Sequence, residues 1–162
     1  AFKGPHGFQS TEPFYPPFSF VNAKNIACPG TKGPRLRHSI FSKEKLLMAD
    51  PRVIFLDLST LRMGKDQGGL VELKTDPVYR SLTAVKTGQV FSVLPYNAYT
   101  QNQGSVLADA WYIGKILYPN RFSDIDPGQK ADEIYEFLVS KPVFAQMNRA
   151  FREMAFKPVD LD

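Results

Sequence analysis

Cysteine and histidine are nearly absent from this sequence. Its 162 residues include one cysteine, Cys28, and two histidines, His6 and His38. A single thiol excludes an intrachain disulfide and a cysteine-based metal site. The sequence also lacks a phosphate-binding glycine loop and the H-E-x-x-H, G-x-S-x-G and C-x-x-C motifs of common enzyme classes. We therefore predict that the protein is not an enzyme, with an enzyme of unrecognised type as the competing hypothesis.

Long apolar runs and strong charge clusters are also lacking. No stretch approaches the roughly 18 apolar residues of a membrane span. Lysine and arginine number 20 against 16 acidic residues, for a formal net charge of +4. The only clear basic run is KGPRLRH at residues 32–38, which is too weak a cluster to indicate nucleic-acid binding. The modest positive charge suits an anionic ligand or an acidic surface instead.

The sequence does contain enough apolar material for one substantial core. Thirteen phenylalanines and seven tyrosines supply large side chains, while thirteen prolines and eleven glycines imply many turns. A chain of this length corresponds to one domain. We predict a single domain over residues 1–162.

The most regular stretch, residues 107–138, predicts two helices joined by an elbow. The first helix is apolar nearly all round, with only Asp109 and Lys115 charged, so it should pack on more than one side. It should end before Pro119, because the residue preceding a proline is driven out of the helical region. The pair Asp126-Pro127 then supplies an N-cap and a first helical position for the second helix.

Two short runs predict strands, VIFLDL at residues 53–58 and QVFSVL at residues 89–94. Both are apolar almost throughout, as expected of parallel strands covered on both faces. Short crossovers connect them, so we predict that they are parallel neighbours in one sheet. Ser42 should cap a helix that ends at Asp50-Pro51, just before the first strand. These elements predict an α/β fold with a small, mostly parallel sheet flanked by helices.

The remaining regular segments are predicted to be short helices. Helical turns between residues 70 and 85 should break at Asp76-Pro77. A final helix from about Pro142 places Met147 and Met154 at helical spacing. We interpret these methionines as core packing and not as a methionine-rich ligand site.

Candidate ligand contacts follow the predicted strands, because ligands of open α/β sheets lie beyond the carboxyl ends of the strands. The loop at residues 96–104 offers hydroxyl and amide groups that could bind an oxygen-rich chelate or an oxyanion, and tyrosine oxygens are hard enough to ligate Fe(III). The candidates in this loop are Tyr96, Asn97, Tyr99 and Asn102. The alternative is that the loop only caps the following helix.

Three further candidates lie elsewhere. Arg62, in the loop at residues 59–69, could neutralise an anionic ligand, although a lone loop cation is more often merely solvated. His6 and Tyr15 belong to the aromatic-rich segment 1–20. That segment either packs as a loop across the sheet edge or lines a pocket.

Four strings carry a resemblance to a known family. They are STEPFYPPFSFVNAKNIA at residues 10–27, SKEKLLMADPRVIFLDL at 42–58, DPVYRSLTAVKTGQVFSVLP at 76–95 and AWYIGKILYPNRFSDIDPGQKADEIYEFL at 110–138. Together they resemble the C-terminal part of the periplasmic solute-binding proteins that serve iron-chelate, haem and cobalamin ABC importers. Members of that family have two α/β lobes joined by one long rigid helix, and they hold the ligand between the lobes.

The resemblance implies a fold and a function. The chain would be a three-layer, Rossmann-like C-terminal lobe, without the N-terminal lobe and the linker helix. It would be the substrate-binding component of an ABC importer that captures a ferric siderophore or related metal compound and delivers it to a membrane permease. Haem, cobalamin and oxyanions such as molybdate or tungstate are alternative ligands of the same fold, and a sensory or structural module is an alternative role. No cofactor other than the ligand is implied.

The resemblance also implies a location and a docking residue. Such proteins are periplasmic or extracellular, in some cases anchored through a lipoprotein N-terminus, which this sequence does not include. In each lobe of the family one exposed glutamate engages arginines of the permease, and Glu44 in SKEKLL falls on that position. A glutamate in the first turn of a helix also has a local explanation, because it interacts favourably with the helix dipole.

Overall fold

A computed structural model describes residues 7–29, 38–63, 66–97 and 100–161. The strands are β1 Ser10–Thr11, β2 Ser39–Ile40, β3 Ile54–Asp57 and β4 Val90–Val93. The α-helices are α1 Pro16–Phe20, α2 Lys43–Ala49, α3 Gly69–Thr75, α4 Pro77–Arg80, α5 Thr83–Lys86, α6 Gln103–Leu117, α7 Pro127–Val139 and α8 Phe144–Ala150. Short 3₁₀ helices occupy Leu58–Met63 and Pro119–Arg121.

The centre of the fold is the parallel pair β3–β4, in which Ile54 pairs with Val90 and Asp57 with Val93. This confirms the predicted parallel neighbours. On its other side β4 meets the C-terminal segment through an antiparallel bridge between Phe91 and Pro158. The outer edge of β3 pairs with no other strand in the described part of the chain. The strands β1 and β2 form a separate antiparallel pair.

Helices cover both faces of the parallel pair. Ile54, Leu56 and Val90 pack on one face with side chains of α2 to α5, including Leu46 and Leu73. The opposite face, with Phe55, Phe91 and Val93, packs against Tyr112 and Ile113 of α6. Successive side chains of a strand point to opposite faces of the sheet, and both faces are buried here. Nearly every residue of the two strands is therefore apolar. The three-layer α/β lobe predicted from the sequence is confirmed.

The helical hairpin α6–α7 forms as predicted at its elbow. Asp126 accepts a hydrogen bond from the Gln129 N–H at 2.8 Å, and Pro127 is the first helical residue. The first helix begins earlier than residue 107, because Asn102 caps it by accepting a hydrogen bond from the Ser105 N–H at 3.1 Å. Gly104 lies so close to α7 that a Cβ there would be 2.6 Å from the Tyr135 ring.

The last helix is shorter than the sequence pattern predicted. It ends at Ala150, and Arg152 and Glu153 follow with positive φ values of 57° and 59°. Two successive left-handed residues cannot continue a right-handed helix. The Asn148 side chain stabilises this turn by accepting a hydrogen bond from the Ala155 N–H at 2.8 Å. Met147 and Met154 nevertheless pack against the core cluster that contains Leu58 and Leu94, so their predicted packing role is confirmed.

Candidate ligand-binding site

Polar groups gather where the two parallel strands end. Asp57 is the last residue of β3, and its Oδ1 accepts a hydrogen bond from the Ser59 N–H at 2.7 Å. Leu94 follows β4 directly, and Tyr96 lies two residues further on. The carboxyl ends of parallel strands are where open α/β sheets bind their ligands. This edge is therefore the expected position of a ligand site.

Asp109 connects the end of β4 to the N-terminal segment. Its Oδ1 accepts a hydrogen bond from the Leu94 N–H at 2.9 Å, and its Oδ2 accepts one from the Tyr15 hydroxyl at 2.9 Å. Asp109 lies in α6 and is fully buried. A buried carboxyl group is tolerated only with such partners. The result is a fixed orientation for the Tyr15 side chain.

A second tyrosine–carboxyl pair lies beside the first. The Tyr96 hydroxyl contacts both carboxylate oxygens of Glu12 at 2.6 Å. The Tyr15 and Tyr96 ring centroids are 5.8 Å apart in a tilted arrangement. Loop residues from the N-terminal segment and from the end of β4 are thus held against each other by the contact of two rings and by two tyrosine–carboxyl hydrogen bonds.

The N-terminal segment is held in place by Asn25. Its Nδ2 donates hydrogen bonds to the Glu12 and Pro13 carbonyl oxygens at 2.9 and 3.0 Å. Its Oδ1 accepts one from the Ala27 N–H at 3.0 Å. The described part of the segment is therefore packed at this point, and it also borders the cavity described below.

The electrostatics of this cluster are dominated by acidic groups. Glu12, Asp57 and Asp109 are only 8%, 7% and 0% exposed. Burial raises the pKa of Asp109 well above its usual value, and the nearby charge of Asp57 adds to the effect. Burial also raises the pKa of Asp57, while the Ser59 hydrogen bond and the positive charge of Arg62 oppose that rise. Burial and the neighbouring Asp109 raise the pKa of Tyr15, so its hydroxyl stays protonated and donates.

A small cavity of about 70 Å³ opens at this cluster. Its walls include Glu12, Tyr15, Asn25, Phe55 and Asp57. Clefts that hold small-molecule ligands usually measure about 300–1,000 Å³. The described residues therefore provide one polar wall, which is too small by itself to enclose a chelate.

A larger groove of about 410 Å³ runs along the unpaired outer edge of β3. Apolar side chains such as Phe18, Phe41 and Leu46 line it, and Lys24 and Arg52 border it. Successive residues of a strand direct their backbone N–H and C=O groups to opposite edges. Those of Phe55 do not face β4, so they point toward this groove. The groove is mainly apolar, and neither tyrosine–carboxyl pair lines it.

The structure brings together only some of the residues that were predicted to form the site. Tyr15 and Tyr96 lie at its centre, and Arg62 is an exposed side chain whose charge acts on Asp57. Asn97 is half-buried next to Tyr96. Asn102 is exposed and caps α6, as the alternative for this loop proposed. His6 and Tyr99 lie outside the described residues.

Three residues of the cluster were missed by the sequence analysis: Glu12, Asp57 and Asp109. Two of them can be recognised as unusual in the sequence. Asp57 ends an otherwise apolar strand, and Asp109 is one of two charged residues in an apolar helix. A lone acid in such a place is either paired or functional. Glu12 follows no pattern that distinguishes it from other loop acids.

Glu44 lies away from this cluster, in the first turn of α2. Ser42 caps the helix by accepting a hydrogen bond from the Lys45 N–H at 3.4 Å. The Glu44 side chain is exposed. Hydrogen bonds from its own N–H and from Ser42 lower the pKa of its carboxyl group. Glu44 is thus an ionised surface group at neutral pH.

Within the described ranges, no group of three or more histidine, cysteine, aspartate or glutamate residues is placed to hold a metal ion. Among the helices of those ranges, none is both long enough and apolar enough to cross a membrane.

Comparison with known proteins identifies similar folds. No protein-family model and no curated protein matches the sequence. One similar solved structure is the molybdate periplasmic binding protein MolA of a Haemophilus influenzae ABC transporter, with molybdate bound. Its TM-score is 0.57 and its sequence identity 22%, and the match covers 80% of this chain and 38% of that chain. The TroA-like periplasmic binding protein FepB of Veillonella parvula gives 0.55 at 20% identity, over 83% of this chain and 42% of that one.

A third structure, a periplasmic solute binding protein of Veillonella parvula DSM 2008, gives a TM-score of 0.52 at 19% identity, over 74% of this chain and 35% of its own. The chain spans less than half the length of each of these proteins. At such identities the likeness establishes the fold. This chain has the α/β lobe fold of TroA-like periplasmic binding proteins.

Proposed function

We propose that this chain is the C-terminal lobe of the substrate-binding component of an ABC importer, which works in the periplasm or outside the cell. The observation that carries the proposal is the pair of tyrosine–carboxyl contacts, Tyr15–Asp109 and Tyr96–Glu12, at the carboxyl ends of β3 and β4. They lie in a fold shared with periplasmic binding proteins, at the place where open α/β sheets bind ligands. The role involves capture and delivery, with no covalent chemistry.

The size of the polar wall supports a site shared between two lobes. A cavity of about 70 Å³ cannot enclose a metal chelate. A second lobe facing Tyr15 and Tyr96 would supply the opposite wall and exclude water from the ligand. An N-terminal lobe and a linker helix outside residues 1–162 would complete the binding protein.

We propose an iron chelate, such as a ferric siderophore, as the ligand. The cluster offers tyrosine hydroxyls and carboxyl oxygens, which are hard oxygen groups suited to Fe(III) and to the polar groups of its chelators. The same cluster offers few hydrogen-bond donors to an oxyanion, because the Tyr15 and Tyr96 hydroxyls already donate to Asp109 and Glu12. The residues proposed to contact the ligand are Tyr15, Arg62, Tyr96, Asn97 and Asn102, with His6 and Tyr99 as further candidates.

An oxyanion is the second candidate, favoured by two observations. The similar protein MolA is a molybdate-binding protein. Arg62 also brings a positive charge near Asp57 at this edge. Haem and cobalamin are further ligands that the same fold could hold.

Glu44 is proposed to dock the binding protein on its permease. Its exposure and its ionised state support this role, since a carboxylate meeting an arginine can form a bidentate, charge-assisted pair. The anchoring of the complete protein through a lipidated N-terminus belongs to the same proposal.

Isothermal titration calorimetry on the complete protein tests which class of ligand it binds. The panel contains a ferric hydroxamate, a ferric catecholate, haem, cobalamin and sodium molybdate. We expect tight binding of a ferric chelate and no heat from molybdate. Tight binding of molybdate alone would favour the oxyanion, and binding of none of the panel would count against a transport role.

A further inference from the structure

The outer edge of β3 presents backbone groups on which a further strand could pair. On the β4 side, the Ile54 N–H donates to the Gln89 carbonyl at 2.9 Å. Alternate residues of a parallel strand bond to the same neighbour, so the N–H and C=O groups of Phe55 and Asp57 face the other side. No strand in the described ranges pairs with that side. Such an edge is a ready template for another strand.

The groove along this edge lies between two apolar layers. Phe41 and Leu46 line it and belong to the core cluster on one face of the sheet. Phe18 and Leu117 also line it and belong to the cluster on the opposite face. The side-chain layers thus extend past β3 on both faces, and the groove of about 410 Å³ lies between them. An element in this position must be apolar on both faces, which is the property of a strand in a parallel sheet.

The groove leads to the polar cavity at the carboxyl ends of the strands. Four residues line both the groove and the cavity: Thr11, Phe18, Asn25 and Phe55. Beyond them the cavity continues to Tyr15 and Asp57. A strand that runs beside β3 in the same direction therefore ends at the polar cavity.

The described chain begins beside this groove. Phe8 lines the groove, and its N–H donates to Glu72 Oε2 at 3.0 Å. Glu72 lies in the first turn of α3, the first α-helix after β3. Gly7 turns the chain here with a φ of 74°, and a Cβ at this position would collide with the Glu72 carboxylate. The chain thus reaches Gly7 on the side of the sheet where β3 ends.

This position sets the direction of any strand that leads along the groove into Gly7. Such a strand runs toward the carboxyl end of β3, so it is parallel to β3. Residues 8–53 then form the connection between the two parallel strands. Parallel neighbours need a crossover of about a dozen residues or more, usually with a helix, and this connection contains α1 and α2.

We propose that the groove holds a third strand, which the chain preceding Gly7 forms in the complete protein and which runs parallel to β3. This inference rests on the proposed function, in which residues 1–162 are one lobe of a longer protein, and it completes the ligand wall. The end of the third strand lies at the polar cavity and brings backbone N–H and C=O groups there. These groups can bind the ligand directly, whereas the Tyr15 and Tyr96 hydroxyls already donate to Asp109 and Glu12.

Hydrogen exchange of single backbone amides in the complete protein tests the inference. The isotopically labelled protein is transferred to D₂O, and its amide signals are followed by NMR. The Ile54 amide is the internal control, because its bond to Gln89 forms with or without a third strand. Cross-strand nuclear Overhauser effects from the Phe55 amide identify the residue that pairs with it. Calorimetry with ferric chelates is carried out on the same sample.

We expect the Phe55 and Asp57 amides to exchange about a thousandfold or more slowly than unstructured amides, because amides of core strands open only together with a large part of the fold. Their protection should be similar to that of Ile54. The Overhauser effects from the Phe55 amide should lead to a residue that precedes Gly7.

Two results would overturn the inference and leave the proposed function standing if the sample binds a ferric chelate. One is rapid exchange of Phe55 and Asp57 beside a protected Ile54, which would mean that the edge stays open. The other is pairing with a second copy of the chain, which is recognised by Overhauser effects between differently labelled molecules. Conversely, protected amides that pair with the preceding segment would support the third strand even if the protein binds no ligand of the panel, and only the transport role would then be wrong.

Discussion

The Tyr15 hydroxyl donates a hydrogen bond to the Asp109 carboxyl group at 2.9 Å, although the two residues are 94 positions apart in the sequence. The same carboxyl group accepts the Leu94 N–H. One buried side chain of α6 thereby fixes both the end of β4 and the N-terminal segment. The arrangement of the candidate ligand wall depends on this contact.

Replacement of Asp109 should separate its hydrogen-bonding role from its charge. In Asp109→Ala the buried Leu94 N–H loses its acceptor, and each such loss costs about 1–3 kcal/mol. In Asp109→Asn the amide oxygen can accept from Leu94 while the NH₂ group donates to the Tyr15 oxygen. We expect Asp109→Ala to be clearly less stable than Asp109→Asn in urea unfolding at pH 7. Equal stability of the two variants would show that these hydrogen bonds contribute little.

The pH dependence of the same pair follows from the raised pKa of Asp109. Burial raises the pKa in the folded state above its unfolded value. The stabilising contribution of this group is therefore fully present below the unfolded pKa of about 4 and is lost as pH rises through the folded pKa. Wild type should lose stability relative to Asp109→Asn as the pH is raised from 4 to 8. Parallel stability profiles for the two proteins would contradict the raised pKa.

Removal of the Tyr96 hydroxyl should affect ligand binding more than folding. Tyr96→Phe deletes the hydrogen bond to Glu12, a loss of about 0.5–1.5 kcal/mol in net stability for an ordinary hydrogen bond and up to about 3 for one to a charged group. Because the Tyr96 hydroxyl holds Glu12, which lines the small cavity, we expect at least tenfold weaker binding of a ferric chelate to the complete protein. The comparison is Tyr118→Phe, whose hydroxyl bonds the Asn22 carbonyl at 3.3 Å away from the cluster. Equal affinities in calorimetry would remove Tyr96 from the site.

Because α6 and α7 approach closely at Gly104, a single methyl group added there should lower the stability of the fold. In Gly104→Ala the new Cβ would lie 2.6 Å from the Tyr135 ring. That ring is buried, and its hydroxyl is hydrogen-bonded to Ser105 at 2.8 Å, so it cannot easily move. Overpacking costs about 1–3 kcal/mol, which exceeds the gain of up to about 1 kcal/mol from replacing a helical glycine. Thermal unfolding should show a lower Tm for Gly104→Ala, whereas the exposed neighbour Gln103→Ala should melt like the wild type.

The regular elements were predictable because their signals are local. Both strands are short apolar runs, and the starts of α2 and α7 carry the caps Ser42 and Asp126. The parallel pairing followed from the short crossovers between two strands that are buried on both faces. Each of these inferences needs only neighbouring residues or a general rule of chain topology.

The site was harder to predict because its contacts cross the sequence. Tyr15 and Asp109 are 94 positions apart and Tyr96 and Glu12 are 84 positions apart, so only the tertiary fold brings each pair together. Periodicity identifies Asp109 as unusual but does not identify its partner. The early end of α8 was missed for a different reason, since its left-handed turn uses Arg152 and Glu153 in place of the glycine that usually marks such a position.

The half-site proposal predicts weak binding by residues 1–162 alone. One polar wall leaves most of a chelate in water, so water competes for the hydrogen bonds of Tyr15 and Tyr96. Calorimetry with ferric chelates should show no sub-micromolar binding to this segment, whereas the complete protein should bind tightly. Sub-micromolar binding by the segment itself would mean that the whole site lies within it.

Native mass spectrometry of the complete protein, purified from its own host, tests whether this chain belongs to a binding protein that carries an iron chelate. We expect a noncovalent mass excess that disappears on unfolding, together with stoichiometric iron in elemental analysis of the same sample. A mass excess that matches molybdate or another iron-free molecule would contradict it.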